Sequence, residues 1–507
     1  MKLPVLLLRS ILILFPKNEV NRLLLPCAIT HRAKFRILLF CTVLISTGVI
    51  NSLFAKKRDW TILTANDTLI LFFKEARVGT LNSVTQVDSD KRTIIITNRV
   101  TISSGTTIPG TVSAMELYEV RKYDFNGKQI YAFQKLQSSS GTSTWELEKK
   151  GKQWELVISA GGISRKLPVT QVKGDLAPTY AILSGIIHGT ITAGEQWQDT
   201  LFDLTAATHL NIKTTCIAVP DAVNPNYVFV NRDNILNRDE RWEVDKKGRM
   251  VMQEVPPFFT ARRVSDDEAA DMASSSAPVS LENLTELFKV SAESGRKPDE
   301  SIVVTLDEEA VLHSSVHRFY TGGNNTFVLK RLPEHCDDIS VKEMKIHEKG
   351  WLKSTVTIQA DHPEIKALAG KLKGKKKSRC EIIDTFNRYL NKNIEKEHVA
   401  AFSNAYETLK AGRGDCGEHA ALLAALLRAA GIEANVVLGL VYMPYQKGYY
   451  YHAWVAAYAG NLIFADPALG EFPAAEGYIP LVLDEDGTKI VYLANLIERI
   501  HISYMKK

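Results

Sequence analysis

At 507 residues the chain has room for two or three domains, and an apolar content of 45% lets each build a core. A formal net charge of +5, with no long basic run interleaved with aromatics, argues against nucleic-acid binding. The six cysteines include no CxxC pair and no staple-like spacing, which excludes a disulfide framework and a cysteine metal pair.

In chain order, residues 1–36 form a cationic arm in which Lys2, Arg9, Lys17, Arg22, Arg32, Lys34 and Arg36 face only Glu19. Ile37 to Ala55 follows as a nearly uncharged apolar run, long enough to cross a hydrocarbon core of about 30 Å as a helix. The positive-inside tendency keeps the arm cytoplasmic and sends the rest outward, although Lys56-Lys57-Arg58 pulls the other way. These features predict a single-pass cell-membrane protein with its bulk extracytoplasmic (periplasmic). A signal peptide ending at Ala55 is the alternative.

Residues 60–263 read as an antiparallel β domain. Thr93-Ile94-Ile95-Ile96-Thr97 is rich in β-branched residues, Ser143-Thr144-Trp145-Glu146-Leu147-Glu148 alternates, and hairpin signals recur at Asn126-Gly127, Lys150-Gly151, Gly161-Gly162 and Lys247-Gly248. With no Cys/His/Asp constellation, its expected role is binding or spacing. Residues 264–283, with Ser274-Ser275-Ser276-Ala277-Pro278, read as a linker. A second β region covers 284–353. Farther on, Ile302-Val303-Val304-Thr305 and Thr355-Val356-Thr357-Ile358 are the expected strands. Two helices follow, one with Pro363 near its first position and one from Arg379 to Asn393. Between them the basic cluster Lys371–Arg379 is expected to be a solvated loop.

The chemistry concentrates between Gly412 and Pro467. Asp415 is a good N-cap, which makes Cys416 the first residue of an apolar helix stopped by Gly431. A thiol there meets the positive end of the helix dipole, which favours the thiolate. Ala434 to Met443 reads as a strand, and Tyr449–Ala457 and Asn461–Asp466 as a hairpin around Tyr458-Ala459-Gly460. That loop pairs Ala457 with Asn461, Trp454 with Phe464 and His452 with Asp466, placing the last two Cβ atoms roughly 4.5–5.5 Å apart. Glu418 is expected to favour the first turn of the helix, and His419 to be structural. Cys416, His419, His452 and Asp466 fit no usual zinc spacing.

The order Cys on a helix, then His and Asp on successive strands, resembles the transglutaminase-like superfamily of papain-type cysteine enzymes. The matching residues are Gly414-Asp415-Cys416, Glu418-His419-Ala420, Arg428-Ala429-Ala430-Gly431-Ile432, His452-Ala453-Trp454 and Asp466-Pro467, with Phe402-Ser403-Asn404-Ala405 and Thr408-Leu409-Lys410 as a lead-in. The resemblance covers 354–507 and is similar to bacterial members. It implies a C-terminal transglutaminase-like domain, and with the antiparallel β domains and the N-terminal membrane helix read above the expected fold class is α+β. It also implies a catalytic triad of Cys416, His452 and Asp466, with the Cys416 backbone N–H in the oxyanion site and Asp415, Glu418, His419 and Trp454 supporting it. No upstream Trp of the animal transglutaminase kind is found, which weighs against protein cross-linking as the native reaction.

The reading is then an amidase, peptidase or acyl transferase that acts on a protein or peptide and needs no metal or organic cofactor. A non-catalytic binding or assembly protein on the same fold is the alternative, and a metal-binding variant using the same side chains is a third. Of Cys216, Cys336 and Cys380, either one pair forms a disulfide, with Cys336–Cys380 nearest in sequence, or all three are buried free thiols.

Overall fold

The computed structural model describes residues 9–11, 37–38, 58–73, 76–105, 112–138, 141–160, 162–257, 259–265, 268, 289–292, 300–337, 348–396, 404–485, 489 and 491–506. It corrects the expected fold class. The chain is mostly antiparallel β, 48% strand against 22% helix, and among the described residues no long helix stands near its N-terminus. Arg9–Ile11 and Ile37–Leu38 instead form a two-stranded antiparallel ladder, so the expected membrane helix is extended at its first two residues. Residues 39–55 and most of the arm lie outside the described residues. Among the described residues no helix is long and apolar enough to cross a membrane. Hydropathy reports that a run avoids water, and without a periodic pattern it does not choose helix over strand.

Fourteen antiparallel strands between Ala65 and Arg262 make one sheet. Ala65–Phe73 joins its two meanders by pairing with Phe259–Arg262 (Thr260 opposite Phe72). The alternating strands bury every second residue: from Gly141 to Lys150 the buried positions are Ser143, Trp145 and Leu147. The buried face also carries a polar row across five neighbouring strands, Asp67–Ser83–Asn98–Glu119–Gln134, each residue opposite the next.

Among the described residues the C-terminal body holds two larger sheets and a two-stranded parallel pair, Glu395–Lys396 with Arg413–Gly414. In one, Glu300–Leu306 lies between Thr326–Leu329 and Ile500–Lys506, so the expected 284–353 region shares a sheet with the end of the chain. In the other, the order is Lys289–Val290, Gly448–Tyr458, Ala434–Met443, Tyr478–Asp484, with Leu462–Ala465 also pairing with Gly448–Tyr458. The helix Cys416–Ala429 packs on this sheet and is buried from Glu418 to Arg428. Hydrogen bonds tie the large sheet to this body. Arg165 donates to Asp361 at 2.6 Å, and Asn495 donates to the Leu236 carbonyl at 2.6 Å.

Two local expectations change. Thr355 to Ile358 is a turn, because the Thr355 hydroxyl and carbonyl-to-amide bonds close it: Ile358 N–H donates to Thr355 Oγ1 and Thr355 N–H to the Ile358 carbonyl. The basic cluster is only partly a loop. Lys371 and Lys373 belong to the helix Pro363–Lys373, Lys373 Nζ donates to the Ala430 carbonyl, and Arg379 is buried against the Tyr458 carbonyl.

Candidate active site

The helix that presents Cys416 is fixed by a capping box. Asp415 Oδ1 accepts from the N–H groups of Gly417 and Glu418, and the Glu418 carboxylate accepts from Asp415 N–H at 3.1 Å. Glu418 therefore does more than favour the dipole: it closes the cap. Beneath it, His419 is fully buried with Nδ1 at 2.7 Å from the Asp415 carbonyl and Nε2 at 3.3 Å from the Ile394 carbonyl. Both ring nitrogens face backbone oxygens, so neither is offered to a metal. Burial lowers the basicity of this imidazole. Cys416 itself is a half-buried thiol outside any disulfide, and Cys216 is a buried one.

His452 lies on the strand Gly448–Tyr458, opposite Gly439 of the central strand. Its Nε2 is 2.6 Å from Asp466 Oδ2, and the ring is also hydrogen-bonded to Cys416, which leaves Nδ1 for the thiol. The expected hairpin register is displaced. Tyr458 pairs with Leu462, Ala456 with Phe464 and Val455 with Ala465, so the loop is Ala459–Asn461 and the ladder ends before Asp466. A displacement of two residues keeps the same face of the sheet, whereas a slip of one would turn Asp466 away. Asp466 thus reaches His452 from a turn and not from an opposed strand position.

That turn is held tightly. Asp466 Oδ1 accepts from the N–H groups of Ala468 and Leu469, both at 2.9 Å, while Oδ2 accepts from His452 and from the Tyr478 hydroxyl at 2.9 Å. From the helix Arg379–Asn393, Asn387 donates to the Glu471 carbonyl and Asn391 to those of Pro467 and Ala468. This helix is also covalently tied, since Cys380 forms a disulfide with Cys336. Of the pairings left open by the sequence, this is the one that forms.

Trp454 supports the pair from the side. It is buried, lies nearly parallel to the His452 ring at 6.2 Å, and meets Tyr478 edge-on at 5.1 Å. Its place depends on Gly439, where an added Cβ would sit 2.6 Å from the indole and 2.1 Å from the Ile479 carbonyl. Gly439→Ala is therefore expected to destabilise by about 1–3 kcal/mol or more, read as a lowered urea midpoint.

Charge follows the geometry. Burial alone would push the His452 imidazole down, but the Asp466 carboxylate and Cys416 beside it carry it up to about 10. Asp466 is opposed by its own burial, yet His452 and its hydrogen-bond donors hold its carboxyl below the usual carboxylate value. The consequences for stability have opposite signs. The His452 contribution is complete below its unfolded value of about 6.5 and is lost as pH rises toward its folded value. The Asp466 contribution is complete above about 3.9 and is lost as pH falls through its lower folded value. Urea midpoints across pH should therefore show a plateau from roughly pH 4 to 6.5, and Asp466→Asn should flatten both shoulders.

Two members of this constellation were invisible in the sequence. Tyr478 lies in the apolar run Tyr478-Ile479-Pro480-Leu481, with nothing to distinguish it from a core aromatic, and Glu471 sits in the turn after Pro467. Phe402 and Ser403 of the lead-in lie outside the described residues.

Residues 366–467 match the family model described as the transglutaminase-like superfamily. The chain carries a transglutaminase-like domain over that span. No curated protein matches it. Among solved structures it is similar to a candidate cysteine protease from Cytophaga hutchinsonii, at 15% identity over 43% of this chain and 86% of that one, with a TM-score of 0.28. It is also similar to a β-barrel-like protein of the DUF1849 domain from Brucella abortus, at 11% identity over 39% and 94%, TM-score 0.28. A third, a DUF1089 family protein from Pseudomonas aeruginosa, gives 14% over 36% and 92%, TM-score 0.22. All three scores are low, so none carries an argument about architecture or activity.

Proposed function

We propose that this protein is a thiol enzyme that forms an acyl-enzyme on Cys416 from a carboxamide or peptide bond and passes it to water or to an amine. The observation that carries this reading is the chain of contacts from Cys416, at a helix N-terminus, to His452 and on to Asp466 Oδ2 at 2.6 Å. The Cys416 thiolate attacks the carbonyl carbon, and the Cys416 N–H donates to the oxyanion as it forms. The His452 imidazolium gives its proton to the leaving amine as the C–N bond breaks, which leaves a thioester and a neutral imidazole. His452 then takes a proton from the incoming water or amine, the C–S bond breaks, and the thiolate–imidazolium pair returns. Asp466 keeps the ring in place and supports its charged form throughout.

The same reading places the body of the protein outside the cytoplasm. The Cys336–Cys380 disulfide supports it, because disulfides persist in oxidising compartments. The deciding experiment exposes the full chain to a glutamine-peptide library, scoring hydrolysis, amine incorporation and acyl adducts on Cys416 by intact mass. Adducts on the wild type that are absent from Cys416→Ala establish the reading. Inert Cys416 toward both the library and iodoacetamide near neutral pH returns the chain to the non-catalytic alternative.

A further inference from the structure

The Tyr478 hydroxyl lies between two carboxylates. It donates to Asp466 Oδ2 at 2.9 Å, the oxygen that also faces His452 Nε2, and it is hydrogen-bonded to Glu471 as well. Glu471 is tethered to Asp466 by reciprocal backbone bonds, Asp466 N–H to the Glu471 carbonyl at 2.9 Å and Glu471 N–H to the Asp466 carbonyl at 3.1 Å. Exposure falls steeply along this chain of groups. Glu471 is exposed, whereas Tyr478 and Asp466 are fully buried and His452 nearly so.

A phenol has one proton and cannot donate to both carboxylates at once. When Glu471 is protonated it can donate to the Tyr478 oxygen, which commits the Tyr478 proton to Asp466. When Glu471 is ionised, the two carboxylates compete for that proton. We propose that Tyr478 and Glu471 are positioning residues, in which Glu471 is the solvent-side end of a hydrogen-bonded chain to His452 and its protonation sets how firmly Tyr478 donates to Asp466. This rests on the thiol-enzyme reading above.

The consequence falls on His452. An Asp466 that keeps its Tyr478 donor has part of its charge neutralised, so it supports the imidazolium less and releases the proton more readily. An Asp466 without that donor holds His452 charged to higher pH. The groups facing Glu471 are few: Asp466 and Glu476 from its own segment, His452 and Tyr478 from the two strands, and the uncharged Asn387 from the helix Arg379–Asn393.

The test is the rate of iodoacetamide alkylation of Cys416 across pH, measured on the full chain, where the upper inflection reports loss of the His452 proton. Glu471→Gln is permanently neutral and can donate through its amide, so the inflection should move down. Tyr478→Phe removes the donor, so it should move up, with each shift about one pH unit, or about tenfold in the proton equilibrium. In the double variant Glu471→Gln/Tyr478→Phe, the glutamine should have no further effect beyond that of the phenylalanine. Shifts of the same sign, or a Glu471→Gln shift that persists undiminished in the Tyr478→Phe background, would overturn the proposal, since the latter is bare charge acting through space. Thermal melts of each variant separate these outcomes from loss of fold. A wild type without any low-pH thiolate, unchanged by His452→Ala, would instead refute the thiol-enzyme reading itself.

Discussion

Cys416→Ala is expected to abolish turnover while leaving the fold intact, because the side chain is small, half-buried and at the first position of a helix whose cap is made by Asp415 and Glu418. His452→Ala should cost nearly as much, on the order of 10⁴-fold or more, and the double variant should be no worse than Cys416→Ala alone. That non-additivity is the signature of groups acting as one unit. The same variants should differ in alkylation. Wild-type Cys416 should react as a thiolate well below the free-cysteine value of about 8.5, and His452→Ala should move its profile upward as the cationic partner is lost. An alkylation profile indifferent to His452 would show that the contact between the two side chains has no chemical consequence.

Asp466→Ala is expected to be the most damaging substitution for stability. Asp466 accepts four hydrogen bonds, two from the turn it closes, one from His452 and one from Tyr478, and it is completely buried. Truncation leaves a buried imidazole without its counter-charge and a turn without its anchor, a loss of about 3–5 kcal/mol by comparison with other broken buried pairs. Asp466→Asn keeps the size and part of the bonding, so it should unfold at higher urea than Asp466→Ala while losing most of the turnover. If the alanine variant melts with the wild type, the turn is held by its backbone and by Asn387 and Asn391 alone.

The parts of the site that sequence could anticipate are those written in local rules. The cap at Asp415, the helix from Cys416 and the left-handed Gly431 (φ 83°) all follow from residue chemistry within a few positions. The hairpin was harder. Its three-residue loop was expected from Gly460 at the last position, but Gly460 sits in the middle, and pairing shifts by two. The contact between His452 and Asp466 exists nonetheless, since parity fixes the face even where register fails. Tyr478 and Glu471 had no local signal, because their meaning comes only from a strand returning to the sheet. At the N-terminus the expected helix is replaced by a short strand at Ile37–Leu38, and the rest of the apolar run lies outside the described residues. The polar row from Asp67 to Gln134 was hidden for a different reason: alternation identifies which residues point inward, and it is silent on which inward neighbours share a row.

The pairing of Glu300–Leu306 with Ile500–Lys506 bears on how the protein comes to be folded. Glu300 lies opposite Lys506 and Leu306 opposite Ile500, so the first long strand of the C-terminal body meets its partner only after everything that carries Cys416, His452 and Asp466 has been made. Such a contact closes a very long loop, which slows folding and leaves an open strand edge during synthesis. The large sheet, whose neighbours are nearly all consecutive in the chain, has no such wait. A growing chain should therefore carry a finished β domain ahead of an immature thiol, and Cys416 should become reactive only once the closing strand is in place.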